Sequence, residues 1–144
     1  MELQIKRFKE LTTTELYEIL RCRSEVFVVE QNCVYQDVDN VDYHSTHVFM
    51  KNDGKIIAYL RVVDPGVKFE GASIGRVLTM KEARGKGLAR PMMKKAIELA
   101  KELSPVVDIM AEAYLREFYK TLGFKETSEE FMLDGIPHQY MRLE

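Results

Sequence analysis

A short run of glycine and basic residues near the middle of the chain has the composition of a phosphate-binding loop. Gly85 and Gly87 are separated by one residue and lie between an apolar segment and a long amphipathic one. Glycine adopts backbone conformations closed to other residues and lets a ligand approach the main chain. Free N–H groups at a helix start bind phosphate, and Arg84 and Lys86 add positive charge there. Taken alone, the segment also fits a glycine-rich turn that only starts a helix.

Two familiar phosphate-binding motifs are excluded at this position. A dinucleotide-binding fingerprint needs a third glycine where this chain has Arg90. A Walker loop needs Ser or Thr after Gly-Lys, but Gly85–Lys86 is followed by Gly87. The loop therefore belongs to neither of these two types.

Several residue types that bind metals occur between residues 33 and 47. The aspartates lack the spacing of a calcium loop, because Val41 and Val48 occupy positions that need oxygen ligands. The two histidines of this stretch do not match a helical zinc motif. We therefore expect no bound metal here, and we expect residues 31–45 to form a solvated or acceptor-lining loop.

Length, composition and charge limit the classes of protein to which the chain can belong. Its 144 residues predict one domain, residues 1–144, and 46% hydrophobic residues are too many for a disordered chain. A formal net charge of −2 without a basic tail argues against a nucleic-acid or anionic-membrane binder. No apolar run is long enough for a membrane span, and residues 1–10 lack a secretory signal. We expect a cytoplasmic protein in which Cys22 and Cys33 are free thiols.

Hydrophobic periodicity predicts the elements that must position these residues. The predicted strands are Leu3–Phe8, Thr46–Lys51, Lys55–Val63, Ala72–Met80, Val106–Ala111, Phe124–Leu133 and Ile136–Leu143. The first helix begins at a capping box, Thr12 and Glu15, the second follows the glycine loop, and the third is Tyr114–Leu122. This order predicts an α/β or α+β fold, with a mixed seven-stranded sheet and helices on its faces.

The glycine loop and a second motif resemble those of the GNAT superfamily of N-acetyltransferases. The superfamily's cofactor signature, Arg/Gln-x-x-Gly-x-Gly/Ala, matches Arg84, Gly85, Lys86, Gly87, Leu88 and Ala89. Residues 117–124 are similar to its Phe-Tyr-x-x-x-Gly-Phe helix. Residues 23–37 and the segment Asp134–His138 resemble the ElaA-like branch of the superfamily. The chain departs from the family pattern at Glu112–Ala113–Tyr114, where the family usually has Gln-x-His.

The resemblance implies a mostly antiparallel sheet with helices on both faces. It also implies that the strand before the glycine loop carries a β-bulge and splays from the next parallel strand. Acetyl-coenzyme A would then be the cosubstrate, with its pantetheine arm bound by the backbone of Val77, Leu78 and Thr79. The N–H of Leu78 would polarise the acetyl carbonyl. A plain core strand is the alternative that the residues alone leave open.

The implied reaction transfers an acetyl group to a primary amine of a small molecule or peptide by direct attack. By resemblance Tyr119 is the acid that protonates the leaving thiolate, and core packing is its alternative. Glu112 and Glu30 are candidates for the base. The alternatives are a solvated carboxylate for Glu112 and a helix-end or ion-pair role for Glu30. His138 either faces the acceptor cleft, as the resemblance implies, or makes structural hydrogen bonds.

Two other functions and one assembly question stay open at this stage. A non-catalytic module that binds or senses acyl-coenzyme A would keep the glycine loop but would need no acid or base. A transferase could also use a longer acyl chain. The residues decide neither the acceptor nor whether a homodimer forms through a sheet edge or the terminal strands.

Overall fold

A mixed sheet of eight strands is the framework of the protein. The computed structural model describes residues 1–144. The strands are β1 (Glu2–Arg7), β2 (Ser45–Asn52), β3 (Lys55–Val63), β4 (Ala72–Thr79), β5 (Val107–Glu112), β6 (Lys125–Glu126), β7 (Phe131–Leu133) and β8 (Ile136–Leu143). Their order is β1-β2-β3-β4-β5-β8-β6, with β7 also paired to β8, and only β4 and β5 are parallel.

The predicted fold class is confirmed, but the sheet has eight strands and not seven because the predicted strand Phe124–Leu133 is divided. The ladder with β8 is interrupted between β6 and β7, where side chains take over the hydrogen bonding. Ser128 Oγ accepts from Tyr140 N at 3.0 Å, and Gln139 Nε2 donates to Ser128 O at 2.6 Å. Competition of this kind from Ser side chains interrupts regular pairing.

Three α-helices accompany the sheet: α1 (Thr13–Arg23), α2 (Ala89–Leu103) and α3 (Arg116–Thr121). The predicted first helix is α1 together with a π-helical segment, Ser24–Glu30, that continues it. The predicted third helix is α3 preceded by a short 3₁₀ turn, Ala113–Leu115. None of these helices has the length and apolarity needed to cross a membrane.

The helices pack on opposite faces of the sheet, as the resemblance implied. One core joins α2 and α3 to the sheet and includes Leu60, Ile74, Met93, Ala96, Ile109, Ala111, Tyr119 and Phe124. A second core joins α1 to the other face and includes Ile19, Cys22, Val26, Phe49, Tyr59 and Leu78. Strand residues alternate between the two faces, so β3 contributes Leu60 to one core and Tyr59 to the other.

β4 carries the expected bulge on the edge that pairs with β3. Tyr59 pairs with Leu78 and Arg61 pairs with Gly75, so β4 has one residue more than β3 between these pairs. Arg76 lies inside this interval and has a φ of +50°. A left-handed backbone is uncommon for a residue with a side chain and is found at bulges and functional sites.

β4 separates from β5 on its other edge. The two strands pair only at Ala72 with Val107 and at Ser73 with Asp108, close to their N-terminal ends. β5 then continues its full length beside β8. The remaining six residues of β4, Ile74–Thr79, therefore face an opening instead of a neighbouring strand.

The irregular loop of residues 31–45, expected to be solvated or acceptor-lining, keeps many residues exposed but is anchored by a buried ionic network. The network pairs three guanidinium groups with three carboxylates: Arg23, Arg61, Arg76, Asp37, Asp39 and Asp42. Arg23 and Arg61 are almost completely buried. Equal numbers of opposite charges make this burial tolerable, since a buried ion without a partner is strongly destabilising.

The start of α1 has the predicted capping box. Glu15 N donates to Thr12 Oγ1 at 3.0 Å, and Thr12 N donates to Glu15 Oε1 at 2.9 Å. The Glu15 carboxylate also accepts from Lys6 Nζ at 3.0 Å and from Lys51 Nζ at 3.1 Å. Burial acts to raise the pKa of Glu15, but the Thr12 N–H and the two ammonium groups outweigh it and lower the pKa to about 2.

We expect Glu15→Gln to remove a pH-dependent part of the stability, because glutamine keeps the cap but not the ion pairs. The pKa of the Glu15 carboxyl is lower in the folded chain than its usual value of 4.5. The carboxylate therefore contributes fully to the free energy of unfolding above pH 4.5, and this contribution is lost as the pH falls towards 2. In urea titrations the variant should lose about 2 kcal/mol at about pH 6.5 and less than half of that at about pH 3.

The exposed Glu102→Gln on α2 is the matched control and should change little at either pH. Equal losses for Glu15→Gln at both pH values would contradict the ion-pair contribution.

Candidate functional site

The separation of β4 from β5 opens a cleft of about 870 Å³. Its walls come from β4, β5, α3, the π-helical segment, the loop of residues 31–45 and the β7–β8 hairpin. Small-molecule and cofactor sites typically have volumes of about 300–1,000 Å³. The cleft contains most of the site residues predicted from the sequence, and it is therefore the candidate functional site.

The glycine loop connects the C-terminal end of β4 to α2 beside this cleft. Gly85 and Gly87 have φ angles of +79° and +71°, which favour glycine. The backbone N–H groups of residues 85–88 have no acceptor in the protein. The first N–H groups of α2 are also without helical partners, and Pro91 lies in this first turn, where it removes no bond. The loop thus presents consecutive free donors at the positive end of the helix dipole.

Arg84 is held at the edge of the cleft by two contacts. Its Nη2 donates to Glu30 Oε1 at 2.6 Å, and its Nε donates to Thr79 O at 2.9 Å. The carboxylate of Glu30, a predicted base, therefore forms an ion pair with the glycine loop, which is the alternative stated for it. Glu30 also lines the cleft, next to the glycine loop.

The remaining signature residues contribute through their backbone or their position. Lys86 is exposed, and Ala89 lines the cleft at the start of α2. The Leu88 side chain is 7% exposed and packs with Ile57 and Ala83. Leu88 therefore offers only its N–H group to a ligand.

Val77, Leu78 and Thr79 form the β4 wall of the cleft. Met80 N donates to Ile57 O of β3 at 2.8 Å. Because N–H directions alternate along a strand, Leu78 N–H also points to β3, whereas those of Val77 and Thr79 point to the cleft. This corrects the expectation that Leu78 donates to the acetyl carbonyl.

Tyr119 of α3 lies where the core meets the cleft. Its side chain is 6% exposed and packs edge-on against Phe124, with ring centroids 6.1 Å apart, yet it also lines the cleft. Burial and the nearby charge of Glu112 raise the pKa of Tyr119, so its hydroxyl is protonated at neutral pH. Core packing and access to the cleft are both observed for this residue.

Glu112 ends β5 on the face opposite to the α2–α3 core. Gln31 Nε2 donates to its two carboxylate oxygens at 2.9 and 3.2 Å, and no lysine or arginine pairs with it. Glu112 is therefore hydrogen-bonded but has no cation partner. Burial and this negative charge raise the pKa of the neighbouring Tyr114 to about 12.

The cleft contains residues to which the sequence gave no role. They come from the loop of residues 31–45, the β3–β4 connection and the bulge: Gln31, Cys33, Tyr35, Lys68 and Arg76. Gln31, Cys33 and Tyr35 belong to the loop that was expected to be solvated or acceptor-lining, Arg76 is a charged residue inside an otherwise apolar strand, and Lys68 gave no signal. His138 lines the cleft, and its Nδ1 lies 2.7 Å from Ile136 O, so the structural hydrogen bond stated for it is observed and a role towards the acceptor stays a prediction. No cluster of side chains has the arrangement of a metal site.

Comparisons with known proteins agree with this geometry. The sequence model of the acetyltransferase (GNAT) domain matches residues 10–144. Protein ElaA of Escherichia coli is 35% identical over 142 residues, which cover 96% of this chain and 93% of ElaA. A UPF0039 protein of Schizosaccharomyces pombe is 36% identical and covers 100% of this chain and 97% of its own length.

Solved structures give the same result. An acyl-CoA N-acyltransferase from Pseudomonas aeruginosa has a TM-score of 0.93 and 38% identity, with 100% of both chains covered. The crystal structure of Escherichia coli ElaA has a TM-score of 0.93 and 35% identity, with 99% of both chains covered. On its sequence and its fold, the chain belongs to the GNAT acetyltransferase family, in the branch that contains ElaA.

Proposed function

We propose that the protein transfers an acetyl group from acetyl-coenzyme A to a primary amine by direct attack in a ternary complex. The observation that carries the proposal is the run of free N–H groups at residues 85–88, placed beside a cleft that β4 and β5 open. The name of the similar Pseudomonas aeruginosa protein, acyl-CoA N-acyltransferase, supports the same class of reaction.

The residues present fit the diphosphate and the pantetheine amides of coenzyme A. Free N–H groups in the glycine loop and the Arg84 guanidinium suit a diphosphate. The cleft-facing backbone of Val77 and Thr79 can pair with the pantetheine amides as an added strand would. When bound, acetyl-coenzyme A supplies the thioester carbonyl that is attacked and the sulfur that leaves.

Two groups of this chain serve the transfer step in the proposal. A cleft-facing N–H of β4, from Val77 or Thr79, donates to the oxygen of the carbonyl as negative charge develops on it. Tyr119, whose hydroxyl is protonated at neutral pH, gives its proton to the departing sulfur. The uncompensated charge of Glu112 attracts a cationic amine into the cleft.

One incubation tests the proposed function against its rivals. The protein is mixed with acetyl-coenzyme A and a pool of polyamines, amino acids, aminoglycosides and peptides, and thiol release and acetylated products are followed. Coenzyme A binding without any product would favour the sensing module. Stronger competition by longer acyl-coenzyme A thioesters would favour a longer acyl donor.

We expect Tyr119→Phe to lower kcat about a hundredfold or more, because the leaving thiolate loses its proton donor. The affinity for coenzyme A, measured by calorimetry, should stay within about twofold, since the ring still packs on Phe124. Tyr114→Phe, which removes a hydroxyl from an exposed residue of the same cleft, is the control. A loss in Tyr114→Phe without one in Tyr119→Phe would remove Tyr119 from the mechanism.

We expect Gly87→Ala to weaken coenzyme A binding about tenfold or more, because a side chain disfavours the φ of +71° that aims the free N–H groups. Gly66→Ala is a matched control: Gly66 has a φ of +82°, and an added Cβ meets no neighbour at either position. Both variants should lose about 1 kcal/mol of stability, but only Gly87→Ala should raise the calorimetric Kd. Equal Kd values would contradict the assignment of the loop.

A further inference from the structure

His138 occupies a protected position in the cleft that the proposed transfer step leaves unused. It lies on β8 and pairs in register with Glu112 of β5. Met141 of β8 and Ala111 of β5 point into the α2–α3 core, so alternation places His138 and Glu112 together on the opposite face. The His138 residue is 8% exposed and stacks on Phe131, with ring centroids 6.1 Å apart. Its imidazole therefore has a defined orientation.

The hydrogen bond of His138 determines which ring nitrogen is free. Nδ1 lies 2.7 Å from Ile136 O, and a carbonyl oxygen can only accept, so Nδ1 carries the hydrogen of the neutral ring. Nε2 then has a lone pair. It makes no hydrogen bond within the protein, and it is not sealed from solvent as Arg61 Nε is. A neutral imidazole with one nitrogen fixed and the other open to a cleft is the arrangement of a general base.

The two other candidates for the base are already engaged. The carboxylate of Glu30 pairs with Arg84 at 2.6 Å, beside the glycine loop. The carboxylate of Glu112 accepts two hydrogen bonds from Gln31. We infer that His138 Nε2 is the base that deprotonates the acceptor amine, an inference that rests on the proposed acetyl transfer.

The proposed transfer removes two protons from the acceptor ammonium. The acceptor ammonium gives one proton to His138 Nε2, directly or through one water, and His138 later releases it to solvent. The free amine attacks the thioester carbonyl, which forms the C–N bond, and the C–S bond then breaks with its electron pair on sulfur. Tyr119 protonates that sulfur and becomes a phenolate. The amine nitrogen then loses its second proton, which passes through solvent to the Tyr119 phenolate. Glu112 lies beside His138 across the β5–β8 ladder.

The tautomer of His138 can be measured without any turnover. In imidazole ¹⁵N spectra at about pH 8, His138 should show a protonated Nδ1 and an unprotonated Nε2, and His138→Asn identifies its signals. His47 is an internal control with the opposite expectation. Its Nε2 lies 3.0 Å from Asp42 O and must donate, while its Nδ1 can accept from the Tyr59 hydroxyl at 2.7 Å. A His138 ring protonated at Nε2 would overturn the inference, whether or not the protein proves to be a transferase.

Kinetics of His138→Asn test the role in proton transfer. The asparagine amide can still donate to Ile136 O, but the variant has no nitrogen lone pair in the position of Nε2. With the amine acceptor found in the pool, kcat/KM at about pH 7 should fall about a hundredfold. At about pH 9.5 the gap should narrow to about tenfold or less, because more of the amine is neutral without a base. The Kd for coenzyme A should not change.

Other titratable groups of the same part of the cleft could produce a pH effect of their own: Cys33, Glu112, Tyr114 and Asp134. Glu112→Gln is therefore measured in parallel, and His44→Asn, at an exposed histidine outside the cleft, is the control that should match the wild type. The inference would be overturned, and Glu112 would be the base, if Glu112→Gln lowered kcat/KM at neutral pH and regained it at high pH while His138→Asn showed no such loss. A wild-type protein that acetylates no amine would refute the proposed function, and the ¹⁵N measurement would still decide the state of His138.

Discussion

The short pairing between β4 and β5 is the constraint on which the site depends. Two strands that stayed paired along their whole length would close the sheet and leave no cleft. Because pairing ends at Ser73 and Asp108, the backbone of β4 beyond that point is free to bind another extended chain. The glycine loop follows after a short 3₁₀ turn, Lys81–Ala83, so the free N–H groups at residues 85–88 lie beside the cleft, between the cleft-lining residues Arg84 and Ala89.

The buried ionic network holds the loop of residues 31–45 in place at the wall of the cleft. Arg76 has an unfavourable left-handed backbone at the bulge, but its guanidinium bonds to Asp37 and Asp39 of the loop. The same aspartates bind Arg23 of α1 and Arg61 of β3. The strain at the bulge and the order of the loop are therefore coupled, and loss of one ion pair would disturb both walls of the cleft.

The proposed acid and the proposed base come from opposite faces of the sheet. Tyr119 comes from the α2–α3 face, where burial keeps its hydroxyl protonated. Glu112 and His138 come from the opposite face, where the loop and the β7–β8 hairpin shape the cleft. In the proposed mechanism the acid and the base thus reach the thioester from opposite sides of the sheet. This arrangement keeps the proton donor apart from the group that must accept a proton.

The sequence alone determined the glycine loop, the Tyr119 helix, the order of strands and helices and the capping box at Thr12, because each depends on neighbours within a few residues. It did not predict the interruption between β6 and β7, the direction of the Leu78 N–H or the burial of the Asp37, Asp39 and Asp42 carboxylates. These features depend on partners that are far away in the chain, such as Tyr140, Ile57 and Arg23. The ion pair of Glu30 and the free Nε2 of His138 were likewise decided only by the tertiary structure, since a carboxylate or an imidazole takes its role from the groups that surround it.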